Sequence, residues 1–171
     1  SRRDLMLKSA KRAALIFLVG LALHSFPWVG YDFSQIRIPG VLQRIAVAYL
    51  IASAIYLYVT TLKARVIALA ILLYGYWFLQ TLVPVPGGFT GVLLPGLDLG
   101  AYIDRAGFTT AHLWKSARTW DPEGLLSTIP AVGTALLGAF AGTWLKSSRT
   151  PTEKTLGLFI AGFAGMMLGA M

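Results

Sequence analysis

The sequence predicts an all-α fold, a polytopic transmembrane helix bundle with about five spanning helices and one long non-cytoplasmic loop, and three observations carry that expectation. Hydrophobic residues are 56% of the 171 and charged residues only 13%, with a mean hydropathy of +0.67; a soluble domain of this size lacks the polar residues to cover so much apolar surface. The apolar residues gather in long runs that do not alternate with polar ones, which argues against strands, and an open sheet could not satisfy its backbone in lipid. The basic residues fall in short clusters between those runs, as they do at the cytoplasmic ends of membrane helices.

About 20 apolar residues are needed to cross roughly 30 Å of hydrocarbon. By that measure the whole chain, 1–171, reads as a single transmembrane domain with spans near 13–28, 40–59, 66–83, 124–145 and 156–171 and an outer loop over 84–123. Arg2, Arg3, Lys8, Lys11 and Arg12 precede the first span, Lys63 and Arg65 join the second to the third, and Lys146, Arg149 and Lys154 join the last two. Ten of the fifteen Lys and Arg therefore lie on one side, which the positive-inside rule makes cytoplasmic, together with the N-terminus of this chain. Trp28, Trp114, Trp120 and Trp144 fall where interfacial aromatic belts are expected. Gly138 with Gly142, and Gly165 with Gly169, have the spacing of small residues that let membrane helices approach closely.

Composition excludes several functions. The net charge of +8 is explained by topology, and nucleic acid is not an expected partner. With no cysteine there is neither a disulfide nor a thiolate metal site, and no metal centre is expected. The chain also lacks asparagine; both absences point to a bacterial inner membrane. Basic residues before the first apolar run resemble a signal peptide, but no small-residue cleavage site follows and further spans do. A chain that opens on Ser1 and stops at Met171 inside an apolar stretch reads as a piece of something longer.

Chemistry is expected around the outer ends of the helices. In Arg37-Ile-Pro-Gly-Val-Leu-Gln-Arg44, Pro39 suits a first helical turn, and Arg44 lies only about 6 Å along the helix from Gly40. A guanidinium there wants a partner. Arg37, Gln43 and Arg44, with the positive helix end, make an anion or polar-ligand site; alternatively Arg44 pairs with Asp104, Asp121 or Glu123 and pins the loop to the bundle. Asp121-Pro122-Glu123-Gly124 introduces the fourth span, with Asp121 a suitable N-cap, Pro122 the first helical residue and Glu123 complementing the dipole. Asp121 and Glu123 are also catalytic candidates, as acid, base or orienter of a histidine. His112 could transfer protons near neutrality or act as a hydrogen-bonded support. His24 reads as a packing or interface residue.

At these residues the sequence resembles the heparan-alpha-glucosaminide N-acetyltransferase family of polytopic membrane acyltransferases. The resemblance rests on Arg37 to Arg44 followed by Tyr49, on Pro95-Gly96, Asp104-Arg105 and His112-Leu113-Trp114, and on Asp121-Pro-Glu-Gly-Leu-Leu-Ser-Thr-Ile129 with Gly138, Ala141 and Gly142. It implies transfer of an acetyl group from cytoplasmic acetyl-CoA to an amino sugar or related acceptor across the membrane. The partners it implies are the lipid bilayer and the amino sugar or glycan acceptor, with a homo-oligomer possible. The histidine credited with catalysis in the family lies in an outer loop upstream, near an Asp-Leu-Val-Phe-Pro stretch that this sequence does not contain. That role is not transferred to His24 or His112, and the 171 residues alone are expected to be inactive. A permease or export component for sugars or small solutes, without acyl chemistry, is the alternative, followed by a structural or assembly subunit.

Overall fold

A computed structural model describes residues 1–88 and 90–169. All regular structure among them is helical: α1 (Arg2–His24), α2 (Val41–Tyr58), α3 (Leu62–Leu82), α4 (Leu99–Phe108), α5 (Leu125–Leu145) and α6 (Pro151–Gly169), with single 3-10 turns at Phe33–Gln35 and Thr110–His112. Among the described residues three helices, α2, α3 and α5, are long and apolar enough to cross a membrane. The expected span at 156–171 ends on Ala170 and Met171, which lie outside the described residues, as does Phe89 of the loop.

Helix boundaries follow local chemistry. α1 begins eleven residues before the expected span because Ser1 and Asp4 form a capping box there. Thr61 caps α3 by accepting from the Ala64 N–H, and Asp98 caps α4 through Ala101. The segment expected as a long loop, 84–123, thus carries a helix of its own. Asp98 is a strong N-cap, and Arg105 in the last turn of α4 suits the negative helix end. Arg105 also donates to the carbonyls of Gly96 and Thr119, bracing the ends of the segment against each other. Gln80 of α3 reaches Asp98 at 3.2 Å, tying α4 to the end of α3.

The chain divides into two compact units, Ser1–Ala135 and Leu136–Met171. In the first, the core between helices is built largely of small residues: Ala13 of α1 and Ala46, Ala48 and Ala52 of α2 are buried. Gly20 of α1 meets α2 so closely that a Cβ there would stand 2.9 Å from the Leu42 Cβ. Close approach through small side chains is what helices in lipid use in place of a hydrophobic driving force. In the second unit, Trp144 donates to the Lys154 carbonyl, carries Arg149 over its ring and packs against Gly157 of α6. Among the described residues, a Cβ at Gly138, Gly142, Gly165 or Gly169 would meet nothing within 4 Å. Small-residue spacing is necessary for close approach but does not choose the partner, and here Gly20 and Gly157 have one.

Candidate functional site

Two connections converge on the start of α2. Arg37, in the segment between α1 and α2, donates from Nε and Nη2 to the two oxygens of Asp121 at 2.9 and 2.6 Å, and Nη2 also donates to Glu123 at 2.5 Å. This fork is the geometry that a planar guanidinium matches best. The Asp121 side chain is wholly buried, and those of Arg37 and Glu123 are 18% and 17% exposed; the Asp121 carboxylate beside it raises the pKa of Arg37 above its ordinary value. His112 Nδ1 lies 2.8 Å from the Ile36 carbonyl and must donate to it, which leaves Nε2 as its basic nitrogen. The Ile38 N–H in turn donates to the His112 carbonyl. His112 therefore supports the segment that carries Arg37.

The cation that pins the approach to α5 is thus Arg37, and Arg44 has a different role from the carboxylate pairing expected of it. Arg44 donates to the carbonyls of Pro122, just before α5, and of Ser127, in its first turn, at 3.3 and 2.9 Å. These bonds occupy two of its five N–H groups, and none of its partners is charged. Pro39 and Asp121 also differ from expectation. α2 starts at Val41 with Gly40 as N-cap, so Pro39 stands before the first turn. Asp121 holds the Glu123 N–H in a turn, and α5 begins at Leu125, whose N–H is capped by Asp104 at 2.8 Å. A carboxylate from α4 outcompetes the local one because the bidentate Arg37 has already claimed Asp121.

Asp104 is buried, and desolvation, opposed by the Leu125 N–H and reinforced by the charges of Asp121 and Asp98, pushes its pKa up to about 6. A carboxyl whose pKa is higher in the folded than in the unfolded chain adds stability that is complete below about pH 4 and lost as pH rises through about 6. The two pKa values differ by roughly two units, or about 3 kcal/mol of linkage. Asp104→Asn should flatten the stability profile between pH 4 and 7, measured by thermal unfolding in detergent; a profile as steep as that of the unsubstituted chain would exclude Asp104 as its source.

Gln43 and His24 form a third group. The Gln43 amide lies between Gly20 and Gly40, with Nε2 3.4 Å from His24 Nδ1, which is itself 3.2 Å from the Arg37 carbonyl. A single Nδ1 cannot both donate to that carbonyl and accept from the amide. Turning the amide over lets Oε1, otherwise buried without a partner, share the Nδ1–H. His24, expected as a packing or interface residue, thereby joins α1 to the start of α2. Gly40 leaves room for it, since a Cβ there would collide with the His24 ring. Gly40→Ala should cost about 1–3 kcal/mol through overpacking, whereas Gly138→Ala should be neutral or stabilising through helix propensity, by up to about 1 kcal/mol; equal melting shifts for the two would dismiss the His24 contact.

Beside these groups lies a cavity of about 320 Å³. Its walls are apolar, from Phe17 of α1, Val47 and Ile51 of α2, Leu72 of α3, and Ile129 and Val132 of α5, and its polar groups are Gln43, Arg44, Glu123 and Thr128 near the starts of α2 and α5. An apolar cleft with a few polar groups is a common form of ligand site. Of the residues expected to carry function, the structure brings together Arg37, Gln43, Arg44, Asp121 and Glu123. His112 reaches the segment behind Arg37. Asp104 and His24 were less legible, because a loop carboxylate and a helical histidine announce no partner until the chain folds back.

The chain matches no protein-family model. It is 30% identical over 204 aligned positions to the human protein named heparan-alpha-glucosaminide N-acetyltransferase, and 28% identical to the mouse protein of the same name. Each alignment covers 94% of this chain and 31% of the relative, so the chain spans about a third of the length of the curated relatives it matches.

Proposed function

Because this chain is a relative of the heparan-alpha-glucosaminide N-acetyltransferases, we propose that it forms part of an integral membrane acyltransferase that moves an acetyl group from cytoplasmic acetyl-CoA to an amino sugar or related acceptor across the membrane. The observation that carries this reading is the cleft ending on Arg44 and Gln43. In the membrane, α2, α3 and α5 cross fully, and the apolar part of α1 and α6 complete five spans. The basic clusters lie in the cytoplasm, the 84–123 segment lies outside, and the membrane is a bacterial inner one. The starts of α2 and α5 then stand at the acceptor side.

The cleft suits a mostly apolar arm that ends in a carbonyl. Acetyl-CoA, when bound, supplies the activated thioester. Arg44 offers N–H groups that no carboxylate quenches, placed to stabilise negative charge developing on a carbonyl oxygen. Gln43 positions a polar group beside it. Glu123, held by Arg37, is the carboxylate nearest the acceptor's side of the cleft and a candidate for orienting an amine. Asp121, with both oxygens on Arg37, serves to hold that arrangement, and His112 keeps Nε2 for proton transfer from the same segment.

The test is acetyl transfer by the full-length protein from labelled acetyl-CoA to glucosamine, in inverted and right-side-out vesicles. Acetylated sugar should form on the side opposite the donor. Passage of unmodified sugar without acetylated product would overturn the reading in favour of a permease.

A further inference from the structure

Gln43 is buried and belongs to the wall of the cleft. Its amide fits against α1 only because Gly20 and Gly40 carry no side chain: a Cβ at either would stand 2.6 Å from the amide oxygen. One end of the amide meets His24 Nδ1, which is itself 3.2 Å from the Arg37 carbonyl. The other end, between the two glycines, has no partner in the protein.

Turning the amide so that Oε1 takes the Nδ1–H does not satisfy the whole group. It replaces an unpaired acceptor between the glycines with an unpaired Nε2–H donor. A buried N–H without an acceptor is unfavourable, and in a residue that lines a cavity an acceptor bound there relieves it. The Arg37 carbonyl sets the sense of this choice. It holds His24 in the form that donates from Nδ1, and such a donor can serve Oε1 but not the NH2 group.

We infer that His24 is a positioning residue for acetyl transfer: acting through Gln43, it holds the amide so that Nε2–H is the second donor, beside Arg44, to the reacting carbonyl. The inference deepens the acyltransferase reading above and rests on it. As the acceptor's amine nitrogen bonds to the acetyl carbon, the C–S bond breaks and the thiol takes up the proton that the amine loses. Negative charge gathers on the carbonyl oxygen on the way, and donors set in place beforehand stabilise it without reorganisation. A reversed amide would turn Oε1 toward that charge and raise the barrier. Arg44 is anchored on carbonyls at the start of α5 and Gln43 on the end of α1, so different elements hold the two donors.

In the full-length protein, Gln43→Met, similar in length and without an N–H, should lower kcat about 10²- to 10³-fold with KM little changed. His24→Leu should lower kcat about tenfold, the contribution of the one hydrogen bond that sets the amide. His24→Asn places an amide N–H where Nδ1–H stood and should recover most of that loss. A histidine that only packs would be replaced better by Leu. Nitrogen-15 NMR of labelled histidine, with His24 identified by the signal that His24→Asn removes, should show Nδ1 protonated. A bare Nδ1, or equal kcat for His24→Leu and His24→Asn, would overturn the positioning role. Unchanged kcat for Gln43→Met in protein that melts cooperatively would overturn the donor role. No acetylated sugar from the unsubstituted protein would instead overturn the acyltransferase reading, and the donor role with it, even with the proton found on Nδ1.

Discussion

Arg37→Ala is expected to destabilise the protein by about 3–5 kcal/mol, the range for breaking a buried ion pair from one side. The substitution leaves the wholly buried Asp121 carboxylate and its neighbour Glu123 facing each other without a cation. It also frees the Asp121 turn that leads into α5. Arg37→Lys should recover part of the loss, because an ammonium keeps the charge but cannot make the two parallel bonds to Asp121. Arg149→Ala, in the connection between α5 and α6, gives the scale of a surface change: it loses a stacking contact on Trp144, about 0.5–1 kcal/mol at an exposed site. Thermal unfolding of the purified full-length variants in detergent reads all three. If Arg37→Ala melts with Arg149→Ala, the triad does not hold the starts of α2 and α5 together.

Arg44→Ala should have the opposite balance. Its two bonds go to main-chain carbonyls, of which that of Pro122 keeps the Ser127 hydroxyl as a donor, so their loss costs about 0.5–1.5 kcal/mol each, less than the loss at Arg37. If Arg44 stabilises charge at the reacting carbonyl, acetyl transfer should fall by about 10²- to 10³-fold, as when one such donor is removed elsewhere. The rate should fall more in kcat than in KM, since the interaction is formed in the transition state. Arg44→Lys tests the role of the planar fork. An unchanged kcat for Arg44→Ala in protein that still melts cooperatively would remove Arg44 from the chemistry.

Much of the helical architecture was legible because hydropathy is a property of each segment by itself. The runs that became α2, α3 and α5 need no distant partner to be apolar, and backbone satisfaction in lipid leaves a helix as their only form. Their ends were less legible. Asp121-Pro122 has the composition of a helix start, yet α5 waits until Leu125, where Asp104 supplies the cap from another helix. The 84–123 segment, rich in Pro and Gly, hid α4 because ten residues are too few for periodicity to stand out against turn signals.

The same division runs through the site. The stretch from Arg37 to Arg44 could be singled out from the sequence, because cations beside an apolar run are costly and rarely idle. Which of the two arginines would be neutralised could not be read there. Arg37 and Asp121 are 84 positions apart, and only the folded chain decides that the fork closes on Arg37 while Arg44 is left with carbonyls. Sequence alone set what each segment could bury, since transfer into lipid depends on side chains one at a time. Tertiary structure alone decided which charges meet, since Coulomb attraction and hydrogen bonding depend on distances that no local pattern contains.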